Sequence, residues 1–190
     1  HAPVFFGDEK CFLNDCVDST FVSSVGEYVS RFEEGLAEYC NAKRAVATVN
    51  GTSALQVALM LVGVKPGDEV ITQPLTFVAT CNAISHCGAV PTFVDIDTET
   101  LGMSADSLAE FFESFADGAG AECVNKATGR KISAVMPMHT FGNPCNVDQI
   151  RSVCEKFEIP LVEDAAESLG SWQNGHHTGM TGSFGAISFN

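Results

Sequence analysis

The chain has 190 residues, enough for one domain with a substantial core, and its 45% hydrophobic and 18% charged residues are the ordinary balance of a globular protein. Ten basic residues stand against 24 acidic ones, a formal net charge of −14 that argues against nucleic acid or an anionic membrane surface as a partner, because phosphate-backbone binding needs clustered Lys and Arg. A membrane span needs roughly 18 uninterrupted apolar residues, whereas the longest candidate, Ala54 to Val64, is shorter and contains Gln56.

A short extended start leads into a helix-like stretch near Asp8–Asp18. A second helix is predicted where Val29, Phe32, Leu36 and Tyr39 recur at helical spacing among Arg31, Glu33, Glu34 and Glu38. From there the pattern alternates. Ala45–Val49 reads as a strand and Thr52–Leu61 as a helix. Glu69–Thr72 reads as a strand after the turn Lys65-Pro66-Gly67-Asp68. Phe77–His86 is helical, Val90–Val94 is a strand, and Ser104 caps a helix that runs to about Phe115. The polar stretch from Gly118 to Lys131 reads as one long loop. Ile132–Pro137 is a strand, Val147–Phe157 a helix capped by Asn146, and Ile159–Val162 a buried strand; Ala186–Phe189 begins another. Strands alternating with helices, the strands short and continuously apolar, imply βαβ units and a mostly parallel sheet covered on both faces, a three-layer α/β domain.

The eight cysteines include no C-x-x-C pair and no secretory signal is visible, so reduced thiols in a cytoplasmic protein are expected. The five histidines do not cluster with Cys at metal-ligand spacing, and no metal site is expected. His176-His177, set among Gly and Asn, reads as an exposed loop.

Four positions suggest chemistry. Asn50-Gly51-Thr52-Ser53-Ala54 joins a strand to a helix through a glycine and two hydroxyl residues. Its first-turn N–H groups and hydroxyls would form an anion site, or Thr52 and Ser53 would serve as ordinary helix caps. Phe77, at the next strand-to-helix junction, would cover a planar ligand or pack in the core. Asp164 follows an apolar strand, where α/β sheets bind ligands. A carboxylate there would keep a pyridine nitrogen protonated and strengthen the ring as an electron sink. The alternative is a helix cap, because Asp164-Ala165-Ala166-Glu167 has capping-box spacing. Ser188 would donate to a phosphate or be an unremarkable strand residue, and the glycines of Gly179-Met180-Thr181-Gly182 would let backbone approach a ligand. The absence of a Gly-Lys-[Ser/Thr] loop or a G-x-G-x-x-G fingerprint leaves dinucleotide binding with little support.

Taken together, Phe21-Val22-Ser23-Ser24-Val25-Gly26, Asn50-Gly51-Thr52-Ser53-Ala54-Leu55, Pro66-Gly67-Asp68-Glu69-Val70, Thr76-Phe77-Val78-Ala79-Thr80, Phe93-Val94-Asp95-Ile96, Met138-His139-Thr140-Phe141-Gly142, Glu163-Asp164-Ala165-Ala166-Glu167 and Ser188-Phe189-Asn190 resemble the DegT/DnrJ/EryC1/StrS sugar aminotransferases. The likeness is nearest to the branch acting on nucleotide-linked 4-keto sugars of the bacillosamine and legionaminic acid type. It implies the large domain of a fold-type I pyridoxal 5'-phosphate enzyme. It also implies a homodimer and transfer of an amino group from an amino acid, glutamate, to a keto group of a nucleotide-linked sugar. The resemblance places Thr52 and Ser53 in the phosphate-binding turn, Phe77 on the cofactor ring, Asp164 at the pyridine nitrogen and Ser188 at the phosphate. Glu167 falls where relatives carry a Gln near the ring hydroxyl.

In relatives three residues follow Ser-Phe before the lysine that forms the Schiff base. None of Lys10, Lys43, Lys65, Lys126, Lys131 or Lys156 matches it. Residues 1–190 are therefore expected to be an incomplete cofactor-binding large domain, ending before that lysine and without the small C-terminal domain, and inactive alone. Two rival expectations are a keto-sugar dehydratase using the same cofactor, with His in place of Lys, and a non-catalytic binding or regulatory module of the same fold.

Overall fold

A computed structural model describes residues 4–189; Asn190 and the first residues of the expected extended start lie outside them. The chain divides into two units, His1–Ala47 and Thr48–Asn190. In the first, α1 (Glu9–Asp18) and α2 (Glu27–Cys40) form at the predicted positions. They meet through the Phe12 and Tyr28 rings, 5.2 Å apart, and through the Tyr28 hydroxyl, which donates to Asp15 Oδ2 at 2.9 Å. Helix α2 ends at Asn41, whose left-handed backbone (φ 54°) stops the helix.

In the second unit the elements run α3 (Gly51–Leu61), β1 (Glu69–Thr72), α4 (Val78–His86), β2 (Val90–Phe93), α5 (Ala105–Phe115), β3 (Ala116–Asp117), β4 (Val124–Asn125), β5 (Ile132–Val135), α6 (Val147–Lys156), β6 (Val162–Asp164), β7 (Trp172–Gln173), β8 (His176–His177) and β9 (Phe184–Ala186). Strands β2, β1 and β5 lie side by side in that order, all parallel, and β6 pairs in parallel with β9. The two sets join where Val135 N–H donates to Pro160 O (3.0 Å) and Asp164 N–H to Pro137 O (2.9 Å). The result is a β2-β1-β5-β6-β9 array whose strands all end along one edge.

Both faces of the array are covered. Leu55, Leu59, Ala83 and Ile84 of α3 and α4 pack on Val70, Ala134, Met136 and Val162. Leu108, Phe112 and Ile150 of α5 and α6 pack on Ile71, Ile132, Val135 and Leu161. Neighbours in a strand therefore enter opposite cores (Val70 and Ile71, Ala134 and Val135, Leu161 and Val162), so the strands read as unbroken apolar runs. Each fully buried Leu or Ile contributes roughly 1.5–3 kcal/mol. This is the three-layer, mostly parallel α/β fold expected from the sequence.

Several local expectations are corrected. Ala45–Val49 is not a strand: a ladder needs partner backbone, and Val46 and Val49 are 77% and 86% exposed. Residues 118–131 are not one loop. Ala116–Asp117 pairs antiparallel with Val124–Asn125, and the polar side chains turn inward, Asn125 Nδ2 and the Thr128 hydroxyl donating to buried Glu69 at 2.8 and 2.6 Å. Asn146 holds the cap position of α6, but its side chain makes no capping bond. Strand β6 runs on through Glu163 and Asp164 rather than stopping before them, and β9 lies earlier than predicted. The His176-His177 pair forms β8 of a hairpin with β7. His177 is buried, its Nε2 accepting Gly170 N–H at 2.8 Å, because a neutral ring can satisfy turn backbone from both nitrogens.

Candidate cofactor site

Four strands deliver the candidate residues to the carboxyl edge. Strand β1 is followed by Thr76 and Phe77, β5 by Met138 and His139, β6 ends on Asp164, and β9 is followed by Ser188.

Asp164 is buried, only 2% exposed. Its Oδ2 accepts the Thr80 hydroxyl at 2.6 Å, and its Oδ1 accepts Ala166 N–H at 3.2 Å. Burial pushes its carboxyl above the usual range, against the lowering effect of those two bonds. No helix follows it, so the capping-box alternative fails. Glu167 Oε2 accepts the N–H of Phe141 at 2.9 Å. Phe141 has a left-handed backbone, φ 55°.

Phe77 occupies the extended position before α4 and is 63% exposed, which rules out core packing. Its N–H lies 3.3 Å from Met138 Sδ, tying the β1 loop to the end of β5.

At α3 the capping residue is Asn50, whose Oδ1 accepts Ser53 N–H at 2.8 Å. Thr52 and Ser53 are thereby first-turn residues, not caps. Ser188 comes close beside them: a Cβ built on Gly51 would stand 3.6 Å from Ser188 Oγ. Among the described residues, no hydrogen bond engages the hydroxyls of Thr52, Ser53 or Ser188, or the N–H groups of Gly51 and Thr52. A helix N-terminus with free N–H groups and three free hydroxyls is the chemistry of a phosphate cradle.

Glu163 and His139 have a different task. Glu163 Oε1 accepts the N–H groups of Thr181 (2.7 Å) and Gly182 (2.6 Å), and Oε2 accepts Gly179 N–H (2.9 Å) and His139 Nε2 (3.0 Å). His139 Nδ1 accepts Cys145 N–H at 3.2 Å, so hydrogen-bond accounting puts the ring proton on Nε2, donated to Glu163. The Gly-containing segment thus wraps an internal carboxylate, which corrects the expectation that its backbone approaches a ligand. A Cβ on Gly182 would sit 2.6 Å from Leu161 O, and one on Gly185 would run into Gly179 backbone.

Sequence reasoning missed Thr80. Its signal was there: Thr76 and Thr80, four apart across the start of a helix, bring both hydroxyls to one side. A cavity of about 190 Å³ lies elsewhere, lined by Val62, Gly120, Ile132 and Pro160, at the opposite ends of β5 and β6.

The fold is the α/β fold of the fold-type I pyridoxal-phosphate aminotransferases. The chain belongs to the DegT/DnrJ/EryC1/StrS aminotransferase family, which it matches over residues 7–190. It is 36% identical over 188 residues to GDP-perosamine synthase of Caulobacter vibrioides, an alignment covering 99% of this chain and 46% of that protein. The structure of DesI in the presence of its TDP-sugar product superposes with a TM-score of 0.83 at 32% identity, covering 99% of this chain and 44% of that one. A point variant of GDP-4-keto-6-deoxymannose-3-dehydratase with bound GDP-perosamine gives 0.79 at 27% identity, covering 98% and 46%. The chain spans about half the length of the curated relatives it matches.

Proposed function

We propose that this chain carries the cofactor face of a pyridoxal 5'-phosphate aminotransferase that moves an amino group from an amino acid, glutamate, to a keto group of a nucleotide-linked sugar. The carrying observation is Asp164, a buried carboxylate on the edge where α/β sheets bind ligands, held by two donors and with acceptor capacity to spare. Bound there, pyridoxal phosphate supplies an electron sink that stabilises negative charge on a substrate carbon. Asp164 keeps the proton on the pyridine nitrogen by charge pairing. The N–H groups of Gly51 and Thr52 and the hydroxyls of Thr52, Ser53 and Ser188 hold the phosphate. Phe77 lies against one ring face. Glu167, which falls where relatives carry a Gln near the ring hydroxyl, holds the loop after β5 through the N–H of Phe141. A cytoplasmic homodimer is part of the proposal; the eight cysteines, all free, fit a reducing compartment.

Pyridoxal 5'-phosphate added to the protein should develop a bound-cofactor absorbance band. Asp164→Asn should weaken binding about tenfold to a hundredfold, the range for hydrogen bonds to a charged group. With glutamate and a GDP- or TDP-linked 4-keto sugar, mass spectrometry of the whole protein's products should find the keto oxygen replaced by an amino group, while residues 1–190 alone should give no turnover. A product that has lost a hydroxyl instead would assign the dehydratase, and no absorbance change at all would assign a non-catalytic module.

A further inference from the structure

Thr80 lies on the first turn of α4, buried, and its Oγ1 is 2.6 Å from Asp164 Oδ2 and 2.6 Å from Thr76 Oγ1. Each hydroxyl has one proton. An ionised Asp164 only accepts, so Thr80 must donate to it, and the oxygen of Thr80 then accepts from Thr76. The two hydroxyls point their protons in series at the carboxylate. If Asp164 were protonated, the series would reverse, and Thr76 would donate outward to Met138 Sδ, 3.0 Å away. The direction of this short chain is therefore coupled to the charge of Asp164.

We infer that Thr80, backed by Thr76, is a positioning residue: it fixes the orientation of Asp164 and favours the charged form that holds the proton on the pyridine nitrogen. The inference rests on the cofactor reading above. It concerns a bond between two elements, since α4 reaches β6 at this level through the Thr80 hydroxyl, and no other side chain among the described residues hydrogen-bonds the Asp164 carboxylate. Other ionisable groups bear on Asp164. His139, after β5, is engaged by Glu163, and Glu167, in the turn after β6, opposes the charged form of Asp164. Glu163, its neighbour, projects to the other face. Helix α3 carries no ionisable side chain, and α4 carries only Cys81 and His86.

The test titrates the protein with pyridoxamine 5'-phosphate, which needs no covalent attachment, and follows the pH dependence of the bound cofactor's absorbance. Thr80→Val keeps the shape and removes the hydroxyl; it should weaken binding about tenfold to a hundredfold and lower the pH at which the bound ring nitrogen loses its proton. Thr80→Ser should restore both to within about threefold of wild type, because the hydroxyl rather than the methyl carries the effect. Thr76→Val, at a partly exposed position, should shift the pH midpoint in the same direction by less, and it decides the matter if circular dichroism shows Thr80→Val unfolded. Unchanged affinity and midpoint in Thr80→Val, or a Thr80→Ser as impaired as Thr80→Val, overturns the inference. So does an unchanged midpoint in Thr76→Val where Thr80→Val does not fold. If Asp164→Asn binds as tightly as wild type with the same midpoint, the cofactor reading itself fails and the role of Thr80 falls with it. If Asp164→Asn is impaired and Thr80→Val is not, only the inference fails.

Discussion

Glu163→Gln is the most exacting perturbation of this site, because it preserves shape and changes only charge and hydrogen-bonding sense. The carboxylate has two donors on each oxygen: Thr181 and Gly182 N–H on Oε1, Gly179 N–H and His139 Nε2 on Oε2. An amide can accept on one side only. With its NH2 toward Thr181 and Gly182, both of those N–H groups lose their acceptor. With its NH2 toward Gly179 and His139, the imidazole can move its proton to Nδ1, but that proton then meets Cys145 N–H, now 3.2 Å away as a donor. Either orientation orphans at least two N–H groups. At about 1–3 kcal/mol for each orphaned buried group, the variant should lose roughly 2–6 kcal/mol. For a domain of this size that lowers Tm by about 4–24 °C. Burial by itself would raise the Glu163 carboxyl, but the hydrogen bonds from His139, Gly182 and Gly179 outweigh it and hold the group below the usual carboxylate range. A depressed carboxylate stabilises the fold above its unfolded value, about 4.3, and that contribution is lost as pH falls through the folded value. Urea unfolding of the cofactor-free protein should thus show a constant gap between wild type and variant from pH 8 to 5, closing below about pH 4. A variant within about 1 kcal/mol of wild type at neutral pH, or a gap that persists undiminished to pH 3, would refute the four-donor account.

Two further outcomes are expected. Phe77→Ala should leave stability within about 0.5 kcal/mol, since the ring is already exposed, yet weaken pyridoxamine 5'-phosphate binding about threefold to tenfold by fluorescence titration; the reverse pattern would return Phe77 to the core. Native protein treated with a thiol reagent near pH 8 should label exposed Cys11 promptly, and Cys145 and Cys154 only after unfolding, as read by peptide mass mapping. Burial pushes Cys154 up to about 12 and Cys145 higher still, so rapid native labelling at either would contradict the packing of α6.

The fold was legible where local and long-range signals agreed. Val70-Ile71, Ala134-Val135 and Leu161-Val162 read as buried strand because both neighbours of each pair do enter a core. Ala45–Val49 carries the same apolar signal and forms no strand, because composition states a preference and a ladder requires a partner backbone. The stretch after Gly118 failed in the opposite sense. Its polarity suggested solvent, whereas Glu69, one residue into β1, was waiting for Asn125 and Thr128, 56 and 59 positions away. Such a pairing has no local trace.

At the site, Thr52, Ser53, Ser188, Phe77 and Asp164 could be nominated from their junctions, yet each also had a structural alternative that only exposure and bonding could remove. The adjacent acids Glu163 and Asp164 show why. Strand alternation sends them to opposite faces: Asp164 shares the side of Val162, toward α4, and Glu163 the side of Leu161. Both are buried, and both could have been drawn as the cofactor's partner. They differ in how far their acceptor capacity is filled. Glu163 has four donors on two oxygens, the full complement of a carboxylate, and its proton affinity falls despite burial. Asp164 has two donors, and burial raises its proton affinity. A carboxylate saturated by its own protein has no bond left to offer a ligand. One that is buried and half-satisfied is a cost to the free protein that a cationic donor can relieve, and a protonated pyridine nitrogen is such a donor. The sequence shows two neighbouring acids; the difference between them lies in loops that begin at Gly179 for one and at Thr76 for the other.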